Sequence, residues 1–292
     1  MPVFSYVNGS YVHHRDAAVH IEDRGFQFAD SVYEVIACIN GTLADAPGHL
    51  DRMERSLGEL AMGMPCSRKA LLLIIRSLLR KNRLSSAAVY IQVTRGSARR
   101  DFKFPSADTP QTLVITTQPF NFAQNPYIKK GAKAIIVPDL RWARRDIKTT
   151  GLLPQAMAKQ AAAEKGAQEA LMIDNEGYIT EGSSSNSWIL KGKTLYTRNA
   201  DHMILKGVTR MAVNHVAQKM GLTITERKFK PEEALQADEA FNTSATAMIM
   251  PIVEIDGKKL GGGKPGPVTE QIFEEYKNYV FGKYGSPLTW KY

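Results

Sequence analysis

Asn-Gly occurs twice near the start of the chain, at Asn8-Gly9 and Asn40-Gly41, each time at the end of a strand-like run. Such a pair suits the two central positions of a tight hairpin. Val3-Phe4-Ser5-Tyr6-Val7 is therefore expected to fold back on Ser10-Tyr11-Val12, and Ser31–Ile39 to turn in the same way. The period then changes. From His49 to Met62, apolar Leu50, Met53, Leu57 and Leu60 recur at helical spacing, and a second helix is expected from about Ser67 to Lys81. Strands follow at Ala88–Thr94 and Thr112–Thr117. Strands and helices mixed without regular alternation argue against a doubly wound parallel sheet and for an α+β fold.

The stretch Gln118-Pro119-Phe120-Asn121-Phe122-Ala123-Gln124-Asn125-Pro126 has two prolines and two asparagines bounding an apolar pair, the composition of a linker. Two α+β domains are expected, residues 1–118 and 127–292, joined by 119–126. Beyond the linker we expect a strand at Ala132–Val137, a helix around Gln155–Lys165, and hairpins over Leu171–Thr180 and Trp188–Thr197. A helix opens near Thr209, strands return at Thr223–Arg227 and Ala240–Thr243, and a last helix covers Val268–Phe281. A chain of 292 residues, 43% of them hydrophobic, can fill two moderate cores.

Several function classes lose support at once. No apolar run reaches membrane-spanning length, since Ala70-Leu71-Leu72-Leu73-Ile74-Ile75 stops at Arg76. Met1-Pro2-Val3-Phe4-Ser5-Tyr6 shows no secretion signal, and Cys38 and Cys66 are too few for a disulfide framework, so a reduced, cytoplasmic setting is expected. The six histidines show no ligand spacing, and no metal is expected. A net charge of +9 raises nucleic-acid binding as an alternative, but the basic residues are spread along the chain. The densest patch, Arg95 to Lys103, suits anionic small molecules equally well.

Three segments carry chemistry: Arg145-Asp146-Ile147-Lys148-Thr149-Thr150, Thr180-Glu181-Gly182-Ser183-Ser184-Ser185-Asn186, and Leu205-Lys206-Gly207-Val208-Thr209-Arg210. They supply an amine, a carboxylate and a helix start able to hold an anion. Pyridoxal phosphate needs those three things: a Schiff-base lysine, an acid against the ring nitrogen, and a phosphate anchor. Each residue also has a plainer reading. Lys148 could be a solvated lysine, Glu181 a turn carboxylate capped by hydroxyls, and Thr209 an N-cap. A lysine nucleophile must be partly neutral, and Arg141, Arg144 and Arg145 are neighbours whose charge could contribute to that.

The chain resembles the fold-type IV pyridoxal-phosphate aminotransferases, and among them the bacterial D-amino acid aminotransferases. The resemblance rests on these three segments and on Glu22-Asp23-Arg24-Gly25-Phe26-Gln27-Phe28-Ala29-Asp30, Tyr33-Glu34-Val35, His49-Leu50-Asp51-Arg52, Val93-Thr94-Arg95-Gly96 and Thr243-Ser244-Ala245-Thr246. It implies a smaller N-terminal α/β domain, a larger C-terminal domain with a barrel-like sheet, and pyridoxal 5'-phosphate between them. It places Lys148 as the Schiff-base lysine, Glu181 at the ring nitrogen, Leu205 against the ring, and Gly207, Val208, Thr209 and Arg52 around the phosphate. Ser184, Ser185 and Ser244 fall at cofactor-contacting positions, with Asn186 a weaker candidate. Ala245 departs from the pattern, because relatives usually carry a hydroxyl there. Arg52, read as lying at a helix start, is otherwise a surface charge, although the helix dipole disfavours a cation there.

The same resemblance implies how the substrate is held. Tyr33 and Arg100 match the tyrosine and arginine that grip the α-carboxylate, the arginine lying on a loop from the partner subunit of a homodimer. Phe102 stands where the family has a histidine, which implies a weaker carboxylate trap and an apolar wall. Arg99 is an extra cation that either recruits dicarboxylates or faces solvent. The expected activity is transamination between D-amino acids and 2-oxo acids, with tolerance of (R)-primary amines. Branched-chain L-amino acid aminotransferase and aminodeoxychorismate lyase are the alternatives within the fold.

Overall fold

The structure, a computed structural model, describes residues 2–122 and 125–280. The chain divides into two units. The described part of the first is residues 2–121 and Ile147–Gly151, and that of the second is Phe122–Asp146 and residues 152–280.

In the first unit the elements run β1 (Phe4–Val7), β2 (Ser10–His13), α1 (Arg24–Phe28), β3 (Ser31–Ile39), β4 (Thr42–Leu43), α2 (Ala46–Glu59), α3 (Arg68–Lys81), β5 (Ala87–Thr94) and β6 (Thr112–Pro119). The strands form one antiparallel sheet in the order β2-β1-β6-β5-β3-β4. Both Asn-Gly pairs turn as expected, with φ of 44° and 94° at Asn8-Gly9 and 48° and 79° at Asn40-Gly41. Along β5 alternate residues Ala87, Val89, Ile91 and Val93 are buried, and Leu50, Met53 and Leu57 of α2 and Leu71, Ile75 and Leu78 of α3 join the same core. Ser67 caps α3, its hydroxyl accepting from the Ala70 amide at 3.2 Å.

Helix α2 begins at Ala46, three positions before the apolar periodicity does. Pro47 lies in its first turn, where no intrahelical N–H is required of it, so the apparent breaker is a helix start. Part of the proline- and asparagine-bounded stretch is strand. Gln118 and Pro119 complete β6, while Ala123 and Gln124 lie outside the described residues.

The second unit continues with α4 (Pro126–Lys130), β7 (Ala132–Pro138), α5 (Leu153–Glu164), β8 (Glu169–Ile173), β9 (Ile179–Gly182), β10 (Asn186–Lys191), β11 (Thr194–Thr197), α6 (Val208–Lys219), β12 (Thr223–Glu226), α7 (Pro231–Leu235), β13 (Glu239–Ser244), β14 (Met248–Ile255), β15 (Lys258–Lys259) and α8 (Pro267–Val280). Among the described residues nine strands form a mixed sheet, ordered β12-β11-β10-β13-β14-β7-β8-β9 with β15 on β14, that curls into a half-barrel. Parallel pairs join β7 to both β8 and β14, and β11 to β12. Strand β14 is absent from the sequence reading because Pro251 sits inside it. The proline is tolerated because the pairing with β7 begins only at Ile252. The expected end of α8, Phe281, lies outside the described residues. No described helix is long and apolar enough to cross a membrane.

Candidate active site

In the first unit, Ile147–Gly151 lies along β3 as a short added edge. The Tyr33 amide donates to the Lys148 carbonyl at 3.0 Å, Val32 bridges Thr149, and the Ser31 and Thr150 hydroxyls bond to each other. The Lys148 amide donates to the Ser56 hydroxyl at 3.4 Å. Its backbone is thus tied to both β3 and α2. Its ammonium lies 4.2 Å from the centroid of the Tyr33 ring, which in turn stacks on Tyr90 at 5.6 Å. A half-buried lysine seated on an aromatic face is not a solvated surface lysine. The charged neighbours differ from expectation. Arg141 is held by Asp139 and Glu181, Arg144 by Asp146 at 3.0 Å, and Arg145 by Asp139 at 3.4 Å. The three arginines are therefore charge-compensated.

Next to Tyr33, the fully buried Glu34 joins β3 to α2. Arg52 donates from Nε to Oε1 and from Nη2 to Oε2, both at 2.7 Å, and Oε2 also lies 2.7 Å from His49 Nδ1. Burial alone would raise this carboxyl, but the Arg52 charge and its hydrogen bonds, together with His49, hold it down to about 2. Arg52 does not lie at a helix start, since α2 begins at Ala46 and places it in the second turn. What removes Arg52 from the surface is the bidentate pair with Glu34.

In the second unit, Glu181 lies within β9 rather than after it, and is buried. Its carboxylate accepts from Arg141, from the Leu205 amide at 3.3 Å and from Asn186 Nδ2 at 3.0 Å. Burial pushes the Glu181 carboxyl above its ordinary value despite Arg141, whose charge is shared with Asp139. Asn186 also donates to the Leu205 carbonyl at 2.8 Å, so one amide clamps the carboxylate to the loop that leads into α6. From sequence Asn186 is only a weaker candidate, Arg141 enters as a charge near Lys148, and Glu34, His49 and Asp139 have no assigned role.

Helix α6 begins at Val208 with Gly207 as its N-cap, so Thr209 is an inner residue of the first turn rather than the cap. No side chain caps this start and no acid lies in its first turn, which leaves backbone N–H groups for an anion. A Cβ on Gly207 would stand 2.0 Å from Asn186 Oδ1, so a larger residue would displace the amide that clamps Glu181. Half-buried Leu205 precedes it. Ser185 is committed inside the sheet, donating to Glu169 at 2.9 Å and accepting from Asn242 at 2.9 Å, while Ser184 is exposed. Ser244 and Ala245 enter the three-residue turn from β13 to β14, where the Ser244 hydroxyl accepts from the Ala247 amide at 3.1 Å.

The loop after β5 carries Arg99, Arg100 and Phe102, all exposed. The Arg100 guanidinium lies 5.2 Å from the Phe28 ring centroid and 5.7 Å from that of Phe102. Phe102 is 80% exposed and meets Phe28 edge-on at 5.7 Å. The first unit thus brings Lys148 and Tyr33 together, and the second brings Glu181, Leu205 and Gly207 together.

The sequence matches the amino-transferase class IV family over residues 31–255. It is 38% identical over 279 residues to a D-alanine aminotransferase of Bacillus licheniformis, covering 94% of this chain and 96% of that protein. It is 34% identical over 277 residues to one from Staphylococcus haemolyticus, covering 94% and 97%. Among solved structures, the branched-chain aminotransferase of Thermoproteus uzoniensis with norvaline superposes with a TM-score of 0.88 at 27% identity, covering 99% of both chains. The branched-chain amino acid aminotransferase of Escherichia coli does so with a TM-score of 0.89 at 26% identity, covering 98% of this chain and 95% of that one. With a family match over residues 31–255 and relatives at 34% and 38% identity over nearly the full length, the chain belongs to the amino-transferase class IV family and has its fold-type IV architecture.

Proposed function

We propose that the protein is a pyridoxal-phosphate-dependent transaminase that moves amino groups between D-amino acids and 2-oxo acids by a ping-pong reaction. The residues present fit that cofactor in three respects: the uncapped start of α6, the buried Glu181 carboxyl, and the Lys148 amine on the Tyr33 face. When bound, the cofactor supplies an electron-withdrawing ring and carries the amino group between the two half-reactions. Lys148 would hold it covalently and then carry a proton to and from the substrate α-carbon. Glu181 would face the ring nitrogen and keep it protonated, its orientation maintained by Asn186 and the Leu205 amide. Leu205 would pack on the ring. Gly207, Val208 and Thr209 would receive the phosphate, with Arg52, Ser184, Ser185, Ser244 and the Ala245 amide completing the cofactor's surroundings.

Arg100 and Tyr33 would hold the substrate carboxylate, with Phe102 as an apolar wall that admits hydrophobic donors and (R)-primary amines. Arg99 would favour dicarboxylates such as D-glutamate. We further infer a homodimer in which Arg100 serves the partner's site, working in the cytoplasm. One observation carries the substrate reading: relatives 34% and 38% identical over 94% of the chain are D-alanine aminotransferases. The structural likeness to branched-chain aminotransferases supports a second reading, for L-leucine and its kin.

Purified enzyme given D-alanine, L-leucine or (R)-1-phenylethylamine, each with 2-oxoglutarate, separates these readings. D-alanine is expected to be consumed fastest. Preferential consumption of L-leucine would overturn the D-specific reading.

A further inference from the structure

The loop that presents Arg100 is fastened at its root by charges that the proposed reaction does not use. Arg24, at the start of α1, is only 3% exposed. Its Nε donates to Asp30 Oδ2 at 2.7 Å, and Arg95 Nε donates to that same oxygen at 2.7 Å. Asp30 therefore joins two guanidinium groups, and Arg95 is further tied to the Leu60 carbonyl at 2.7 Å. The remaining hydrogen bonds run into the loop. The Arg24 amide donates to the Gly96 carbonyl at 2.9 Å, and Arg24 Nη1 donates to the Asp101 carbonyl at 2.7 Å.

Asp101 directly follows Arg100, so this bond fixes the peptide next to the carboxylate-binding side chain. Two rings complete the arrangement. Phe28 lies under both Arg24, at 4.6 Å, and Arg100, at 5.2 Å, while Phe104 lies under Arg95 at 3.8 Å. The turn into the loop is equally constrained. Gly96 has φ of +96°, and a Cβ there would stand 2.0 Å from the Pro110 carbonyl. An exposed segment without secondary structure would otherwise spread its side chains over many positions, and ordering it on substrate binding carries an entropic cost. Burying an arginine is also costly unless its hydrogen bonds are filled. Here Nε is taken by one acid and Nη1 by one loop carbonyl.

We propose that Arg24, with Asp30, is a positioning residue for substrate recognition, holding Arg100 in place through the Asp101 carbonyl and the shared Phe28 ring. The inference rests on the reading of Arg100 as the carboxylate-binding arginine. The charge on Arg24 never meets the substrate; its effect is to make the Arg100 loop rigid before binding.

The test uses the full-length, cofactor-loaded enzyme with D-alanine and compares wild type, Arg24→Met, Phe104→Ala, Arg100→Ala and the pair Arg24→Met/Arg100→Ala. Arg24→Met is expected to raise KM about tenfold while kcat stays within about twofold, and Phe104→Ala to raise KM about threefold. In the Arg100→Ala background, Arg24→Met should add less than about twofold, because its effect passes through Arg100. The proposal is overturned if Arg24→Met leaves KM unchanged, or if its full effect persists without Arg100. It is also overturned if kcat and the cofactor absorbance fall while KM holds, as loss of a purely structural residue would do. Should Arg24→Met not fold, Phe104→Ala, whose ring is 59% exposed, carries the same cycle with Arg100→Ala, and an unchanged KM there overturns the proposal. A normal KM in Arg100→Ala alone would instead bring down the reading of Arg100 on which the proposal stands.

Discussion

Glu181 is held from three sides, and each contact has a different consequence for substitution. The Leu205 amide and Asn186 Nδ2 both donate to its carboxylate, and Arg141 brings a charge that Asp139 also claims. In Glu181→Gln the side-chain oxygen can still accept from the Leu205 amide, while the negative charge that would keep a ring nitrogen protonated is gone. Cofactor should therefore stay bound and the proton-transfer half-reaction should slow by about 10²-fold or more. An α-deuterium isotope effect on D-alanine, larger in the variant than in wild type, is the measurement; an unchanged half-reaction rate would remove Glu181 from this role. Glu181 stands out as a candidate in the sequence because it sits in a motif. The clamp around it does not. Asn186 reaches Glu181 and Leu205 only once β9 and β10 have formed and the loop into α6 has closed over them, and no local pattern announces that.

At the level of elements, the join between β3 and α2 carries an acid sensitivity of definite sign. Glu34 is held down to about 2 from an ordinary 4.5, so its contribution to folding is complete above pH 4.5 and is lost as the pH falls toward 2. That drop amounts to about 3 kcal/mol. Glu181 acts in the opposite sense, because burial raises it and protonation on acidification relieves a cost. Glu34→Gln should thus be less stable than wild type at neutral pH, with a gap that narrows by about 3 kcal/mol between pH 5 and pH 2. Urea unfolding at a series of pH values measures it, and parallel pH dependences in the two proteins would refute the assignment. A signal for this brace was present in the sequence. Glu34 occupies an inward position of β3 between Val32 and Ile36, and a charge at an inward strand position requires a buried partner. Hairpins and the apolar helices α2 and α3 were readable from period and turn chemistry. Strand β14 and the first turn of α2 were not, because Pro251 and Pro47 look like breakers until their hydrogen-bonding positions are known.

At the scale of the whole molecule, the proposed site residues are carried in very different ways. Lys148 rides on a short return of the chain along β3, whereas Arg100 lies on an exposed loop braced by Arg24 and Asp30. If Arg100 completes the neighbouring subunit's site, the two residues of one chain never act together. Lys148→Ala should lack turnover, by at least about 10²-fold, and Arg100→Ala should bind D-alanine poorly. A dimer formed from one chain of each kind would nevertheless hold one intact site: Lys148 from the Arg100→Ala chain and Arg100 from the Lys148→Ala chain. Random exchange makes half of all dimers mixed, each with one of its two sites restored, so about a quarter of wild-type activity at low D-alanine should return. Arginine acting within its own subunit predicts something different, since no mixed dimer would then gain an intact site. Unfolding the two variants together, refolding them, and comparing the product with the sum of the separately refolded proteins decides between the two arrangements. Activity no greater than that sum, in a preparation shown by differential tagging to contain mixed dimers, would place Arg100 in its own subunit's site.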